Sequence, residues 1–279
     1  MDQEAHGIPQ SNRPIESVQG HWLLARLGKR VLRPGGLELT TSMLRQADPR
    51  GADVVEFAPG IGRTAAMVMD TAPASYVGVD NDADAVRLVT EVVAPRGRCI
   101  QADAHATGLD PESADLVIGE AMLTMQGDRA KREIIAEAAR LLRPGGRYAI
   151  HELGLMPDDA PASVKDEIKR DLAQAIRVNA RPLTVPEWSQ LLEQAGLEVE
   201  WTQTAPMALL QLRRNLADEG LVGTLRIIGR ALFNSKARAR VLHMQATFRR
   251  HADHLCGVAL VARRPLTSGD GHIAEPPAI

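Results

Sequence analysis

The run Asp53-Val54-Val55-Glu56-Phe57-Ala58-Pro59-Gly60-Ile61-Gly62-Arg63-Thr64 passes through three local structures in succession. Asp53 to Glu56 reads as the end of a buried strand, because branched and acidic residues lead straight into Ala-Pro-Gly, which stops a strand. Ala58 to Gly62 makes a turn, and Thr64 to Met69 continues as a helix. A glycine turn between a strand and a helix N-terminus lets backbone come close to a ligand, since Gly has no Cβ to collide with it. The helix end adds unpaired N–H donors. A nucleotide-like ligand is the first expectation.

Written as Gly60-x-Gly62-x-x-Ala65, the turn also fits the dinucleotide fingerprint, and Asp80 follows at about the distance of an acid that holds a ribose. An NAD(P)-dependent oxidoreductase therefore stays open at this point. Glu56 shifts the balance. A carboxylate at the strand's end can accept hydrogen bonds from an ammonium group, which NAD lacks and S-adenosylmethionine carries. The segment resembles motif I of the class I S-adenosylmethionine-dependent methyltransferases, an acid followed by a GxGxG turn, with Ala58 where that family usually has its first Gly.

Four further strand ends follow in the same order. Tyr76-Val77-Gly78-Val79-Asp80 is a short apolar run ending in an acid, and a helix from Ala83 to Val93 follows it. A carboxylate there can accept both hydroxyls of a ribose, whereas the plain alternative is a helix cap by Asp80, Asn81 or Asp82. Arg98 to Ala102 is a third strand ending at Asp103-Ala104, and Asp115 to Gly119 is a fourth, ending at Glu120. A helix from Asp128 to Leu142 leads through Leu142-Arg143-Pro144-Gly145-Gly146 into a fifth strand, Arg147 to Glu152, which carries His151.

The resemblance implies an α/β fold with a doubly wound, mostly parallel seven-stranded sheet, the Rossmann-like methyltransferase fold with helical lid insertions. It implies S-adenosyl-L-methionine as cofactor and carries its binding positions onto Glu56, Ala58, Gly60, Gly62, Asp80, Asn81, Asp103, Ala104 and Glu120. Glu56 would meet the ammonium, Asp80 the ribose, and Asp103 with the backbone of Ala104 the adenine. Glu120 and His151 stand at strand ends beside the expected methyl and are the candidate catalytic residues, should the acceptor have to lose a proton. The plain reading of His151 is a satisfied core histidine.

With 279 residues, 44% of them hydrophobic, the chain has ample material for one large α/β domain. A net charge of −2 argues against general nucleic-acid binding, and two cysteines, Cys99 and Cys256, form no metal or disulfide pattern. No metal is expected. No window is long and apolar enough for a membrane span, and the N-terminus lacks a signal-peptide pattern, so a cytoplasmic setting is expected. The expected organisation is a loose tail over 1–14, N-terminal cap helices over 15–48, the methyltransferase-like domain over 51–264, and a disordered tail over 265–279. Lid insertions are placed at about 156–184 and 206–254.

The second insertion holds nine Lys and Arg against three acids. A solvated outer face is the favoured explanation, while an anionic acceptor, a membrane surface or a partner helix stays open. The expected activity is methyl transfer to O, N, S or C of a small molecule. An NAD(P)-dependent oxidoreductase and a non-catalytic binding protein of the same fold are the alternatives. Acceptor identity and oligomeric state are not legible.

Overall fold

The computed structural model describes residue 9 and residues 13–29, 33–207 and 234–266. Strands β1 (Asp53–Phe57), β2 (Ser75–Asp80), β3 (Arg98–Gln101), β4 (Ala114–Glu120), β5 (Leu142–Leu155), β6 (Leu183–Thr184), β7 (Glu198–Pro206) and β8 (Leu255–Arg263) form one sheet. Helices α1 (Gly20–Arg26), α2 (Gly36–Ala47), α3 (Arg63–Asp70), α4 (Ala83–Val93), α5 (Asp128–Leu141), α6 (Ala162–Ile176), α7 (Val185–Gln194) and α8 (Ser235–Arg250) surround it. The strand order is β3-β2-β1-β4-β5-β8-β7, with the two-residue β6 beside β5. All pairs through β5 are parallel, and β8 alone runs against its neighbours β5 and β7. The expected seven strands are present, and β6 is an eighth.

Strand alternation divides the core into two layers. Val55 and Phe57 face one cluster with Ile134, Leu141, Tyr148 and Trp188. Val54 faces the other, with Leu39, Met43, Val68, Tyr76 and Ile118. The order reverses between β1 and β4, so the crevice at the C-terminal ends of these two strands is where a ligand belongs.

The expected cap over 15–48 divides in two. Helix α1 packs, with Leu23, Leu24 and the following Leu27, against Ala237 and Met244 of α8 and Ala175 of α6. Helix α2 instead lies on the sheet, because Leu39, Met43, Leu44 and Ala47 make an apolar stripe that is buried against Val54, Ala149 and Val261. Each such fully buried side chain contributes about 1.5–3 kcal/mol, which a position over the ligand would forfeit. The turn before α2 rests directly on β8. A Cβ on Gly257 would come within 2.7 Å of the Gly35 nitrogen, so only glycine there admits the contact.

Two boundaries also differ. The fifth strand begins at Leu142, so the Pro144-Gly145-Gly146 turn falls inside it, where the pairing register with β4 shifts between Ala114 and Leu116. In the second insertion Arg238 is exposed as expected, but Arg240 is not solvated: its Nη1 donates to the carbonyls of Ile15, at 2.6 Å, and Val18, at 2.7 Å. Residues 208–233 of that insertion, and nearly all of both expected tails, lie outside the described residues. Thr184 and Glu187 form a capping box at the start of α7.

Candidate active site

One cavity of about 500 Å³ opens along the crevice. Its first end is built by the glycine turn and the strand ends. Ala58 and Gly60 both hold left-handed backbone, with φ of 50° and 59°. Glycine meets that demand freely, whereas Ala58 carries a Cβ there at a cost of roughly 1–2 kcal/mol. The Ala58 N–H donates to Val79 at 2.7 Å, fastening the turn to β2. Gly62, also left-handed, stands as the N-cap of α3.

Glu56 lines this end and is 2% exposed; the Tyr76 hydroxyl donates to its Oε2 at 2.7 Å. Burial pushes the Glu56 carboxyl up to about 8, against that hydrogen bond. Asp80 accepts from the Gly60 N–H on Oδ2 at 3.2 Å and from the Asp82 N–H on Oδ1 at 3.0 Å. Each of its oxygens thus keeps lone-pair capacity beyond its backbone donor. Burial raises the Asp80 carboxyl, opposed by those two N–H groups. The capping role falls to Asp82, whose Oδ1 accepts from the backbone N–H groups of Asp84 and Ala85, while Asp80 lines the cavity. Asn81, Asp103 and Ala104 line the same end, Asp103 on an exposed turn that bridges to Ala106.

Glu120 reaches the cavity from the end of β4. Its Oε1 accepts from Thr40 Oγ1 at 2.7 Å and lies 3.0 Å from His151 Nδ1, while Oε2 is held by the Arg33 guanidinium and the Thr64 hydroxyl. Burial pushes the Glu120 carboxyl up, but Arg33, His151 and Thr64 outweigh it and hold the group at about 2. His151, directly beside Glu120 in the sheet register, is fully buried and does not line the cavity. Its Nε2 donates to the Pro34 carbonyl. The structure therefore brings together the positions anticipated from sequence, except that His151 stands behind Glu120, sealed by the Arg33–Gly36 turn. A histidine so placed can orient Glu120 but does not meet a ligand.

Arg33, Thr40 and Thr64 were not expected. Neither was the role of Glu152, whose carboxylate accepts from the backbone N–H groups of Met122, Leu123 and Thr124 at 3.0, 2.8 and 2.9 Å, and from the Thr124 hydroxyl at 2.6 Å. It fixes the loop after β4 that carries Met122, Thr124, Met125 and Gln126 into the cavity wall. Period-two alternation in β5 was the available signal: adjacent His151 and Glu152 must point to opposite faces, and both faces are core.

The far end of the cavity is formed by the end of α6, Val178, Ala180, Met207 and α8 and is largely apolar, while α1 spans to the first end, where its Trp22 ring lies over Gly60. Outside the cavity, Glu167, Asp171 and His251 lie close enough to share an ion, with Asp171 accepting from His251 Nε2 at 2.8 Å and from Arg250 at 3.2 Å. Among the described residues, no helix is long and apolar enough to cross a membrane.

Residues 54–146 match the family described as Methyltransferase domain. A protein of Haemophilus influenzae, described as uncharacterized, is 33% identical over 235 residues, which cover 82% of this chain and 91% of that protein. Among solved structures, the phosphoethanolamine N-methyltransferase 2 of Haemonchus contortus in complex with S-adenosyl-L-methionine superposes with a TM-score of 0.67 at 17% identity, covering 88% of this chain and 57% of that one. The [4+2]-cyclase SpnF superposes with a TM-score of 0.61 at 14% identity, covering 82% of this chain and 80% of its own. Identities this low establish the fold and leave the reaction to the site. Sequence motifs, strand order and site agree, and the chain belongs to the class I S-adenosylmethionine-dependent methyltransferase family.

Proposed function

We propose that this protein transfers the methyl group of S-adenosyl-L-methionine to a small molecule held at the far end of the cavity. The observation that carries the reading is the continuity of that cavity from Glu56, Asp80 and Asp103 to the apolar walls of α1, α6 and α8. The residues fit the cofactor. Glu56 is a buried carboxylate in the cavity wall with a single hydroxyl donor, so a ligand ammonium would supply the counter-charge it lacks. Asp80 has acceptor capacity for two hydroxyls, and Asp103 stands on the open rim with the backbone of Ala104 beside it for a ring amine and nitrogen. The nicotinamide reading gives Glu56 no partner.

Bound there, the cofactor supplies a methyl group already activated by its sulfonium. What remains for the protein is to align the acceptor and exclude water. Glu120, ionised and locked by four partners, contributes a fixed negative field next to the reacting centre, with His151 holding its orientation. A group held near 2 is a weak base, which argues for positioning over proton abstraction by Glu120.

The test is thermal denaturation with cofactor. At a hundredfold excess over Kd, S-adenosylhomocysteine should add about 2.7 kcal/mol, on the order of 5–10 °C for a chain of this size. Asp80→Ala should lose most of that shift, because two ribose hydroxyls lose an acceptor worth roughly 1.5–3 kcal/mol. An equal shift with NAD or NADP would refute the cofactor assignment.

A further inference from the structure

His21, on α1, stands in the cavity wall beside Trp22, whose ring lies over Gly60 of the glycine turn, and has no assigned task. Its ring lies 4.7 Å from that of Trp22, tilted by 53°, and it lines the cavity. Among the described residues, no side chain or backbone group hydrogen-bonds to either ring nitrogen, although the residue is half-buried. Its position is fixed. A Cβ on the preceding Gly20 would meet Met244 Sδ at 3.0 Å and Ile176 Cα at 3.1 Å, so glycine lets α1 press directly on α6 and α8.

The charged groups of the packed elements are engaged elsewhere. Arg240 binds the carbonyls of Ile15 and Val18, Lys236 pairs with Glu16, and Asp171 pairs with His251 and Arg250. None of these six lines the cavity, nor does Arg177 at the end of α6. Among the described residues, the charged ones that do line it, Arg33, Arg63, Glu56, Asp80, Asp82, Asp103 and Glu120, belong to the strand ends, the glycine turn and the turn before α2. Burial alone pushes the His21 imidazole down to about 4, so at neutral pH the ring is uncharged and offers the cavity one acceptor nitrogen and one N–H.

We propose that His21 receives the methyl acceptor by taking a hydrogen bond from its nucleophilic O–H, N–H or S–H group, and that the acceptor is otherwise an uncharged, apolar molecule held by Leu24, Ile176, Val178, Met207, Met244 and Phe248. The inference rests on the methyl-transfer reading and adds the substrate class. An unpaired imidazole nitrogen and an apolar wall together select for a neutral donor on an apolar body. The apolar wall would strip an anionic acceptor of its hydration, and an acceptor without a donor would leave the ring's acceptor nitrogen unsatisfied.

The experiment uses the full chain saturated with S-adenosylhomocysteine and three probes that share one body: p-propylphenol, its methyl ether p-propylanisole, and p-propylbenzoate. Calorimetric titration should show p-propylphenol binding about tenfold or more tighter than the other two. His21→Leu should abolish that preference while leaving S-adenosylhomocysteine affinity and Tm within error. In protein carrying nitrogen-labelled histidine, p-propylphenol should shift the His21 ring signals, identified by their absence in His21→Asn. This measurement stands even if His21→Leu fails to fold. Equal binding of the three probes, binding of none, or unmoved His21 signals would overturn the proposal. Loss of S-adenosylhomocysteine binding by the unaltered protein would instead overturn the reading beneath it.

Discussion

Glu56, one residue before the end of β1, and Glu120, the last residue of the adjacent parallel β4, are both almost wholly buried at the same crevice. Their chemistry is opposite. Burial, aided by the charges of Glu120 and Asp80, drives Glu56 up to about 8 against the Tyr76 hydroxyl and the more distant Arg33, while burial of Glu120 is overcome by Arg33, His151 and Thr64, which hold it at about 2. The same residue type at neighbouring strand ends is thus finished in one case and unfinished in the other. A carboxylate that the protein has already supplied with a cation and hydroxyl donors is part of the frame. One left without a cation, in a cavity wall, is a binding group waiting for its partner. Environments that push two carboxylates apart in this way mark a division of roles.

The comparison breaks most visibly at Glu120. In Glu120→Gln the buried Arg33 guanidinium loses its counter-charge, and removing one member of a buried pair costs about 3–5 kcal/mol. Urea denaturation should show that loss. The double variant Arg33→Met with Glu120→Leu should recover most of it, since replacing both charges by apolar groups removes the unpaired ion. If Glu120→Gln is as stable as the parent, the network is not a structural frame and Glu120 must be sought in catalysis instead.

Glu56 should behave in the reverse manner. Its folded carboxyl, raised to about 8, keeps a proton that the unfolded chain gives up near the ordinary value of about 4.5, so the native state binds more protons between these limits. Stability of the ligand-free protein should therefore fall as pH rises from about 5 to about 8. Glu56→Gln, which keeps an acceptor for Tyr76, should remove that fall and stabilise the free protein at pH 8 by about 1–3 kcal/mol. The same variant should bind S-adenosylhomocysteine more weakly and lose the rise in affinity with pH that ionisation of Glu56 gives the parent. Denaturation and calorimetry across that range measure both. A variant that gains no stability, or that binds as well as the parent, would erase the contrast with Glu120.

These two sites also differ in how far they could be read from sequence. Glu56, Asp80 and Asp103 each close a short apolar run ahead of a turn, so a local pattern places all three at one edge of a parallel sheet. The frame around Glu120 has no such pattern. Arg33 and Thr40 lie 87 and 80 residues away in the chain, and Thr64 lies 56 away. Arg33 reads as part of a helix-ending Arg-Pro-Gly-Gly turn, and Thr40 as one polar residue on a helix. What joins them is the docking of α2 onto β5 and β8, a long-range fact that depends on Gly257 leaving room for Pro34 and Gly35. For the same reason α2 was expected in the cap: its apolar stripe fixes that it packs, not on what. His151 was legible as a strand-end residue but not as a hidden one, because the turn that seals it comes from 117 residues earlier.

The finest distinction lies in the turn between β1 and α3 and concerns Ala58, the departure from glycine in the motif. At φ 50° its Cβ costs roughly 1–2 kcal/mol, which Ala58→Gly would relieve. Against this, glycine loses more backbone freedom on folding, by about 0.5–1 kcal/mol, and the methyl now packed on the core beside Val55 and Phe57 would be lost. The terms nearly cancel, so stability should change by no more than about 1 kcal/mol. Affinity for S-adenosylhomocysteine should stay within about threefold, because the backbone already follows the path that glycine would take and the Ala58 N–H still donates to Val79. Chemical denaturation and calorimetry of the single variant settle the point. A gain above about 2 kcal/mol would mean that the strain at Ala58 is uncompensated. A loss of that size would mean that the methyl, and not the turn geometry, holds β1 in register with the cofactor end.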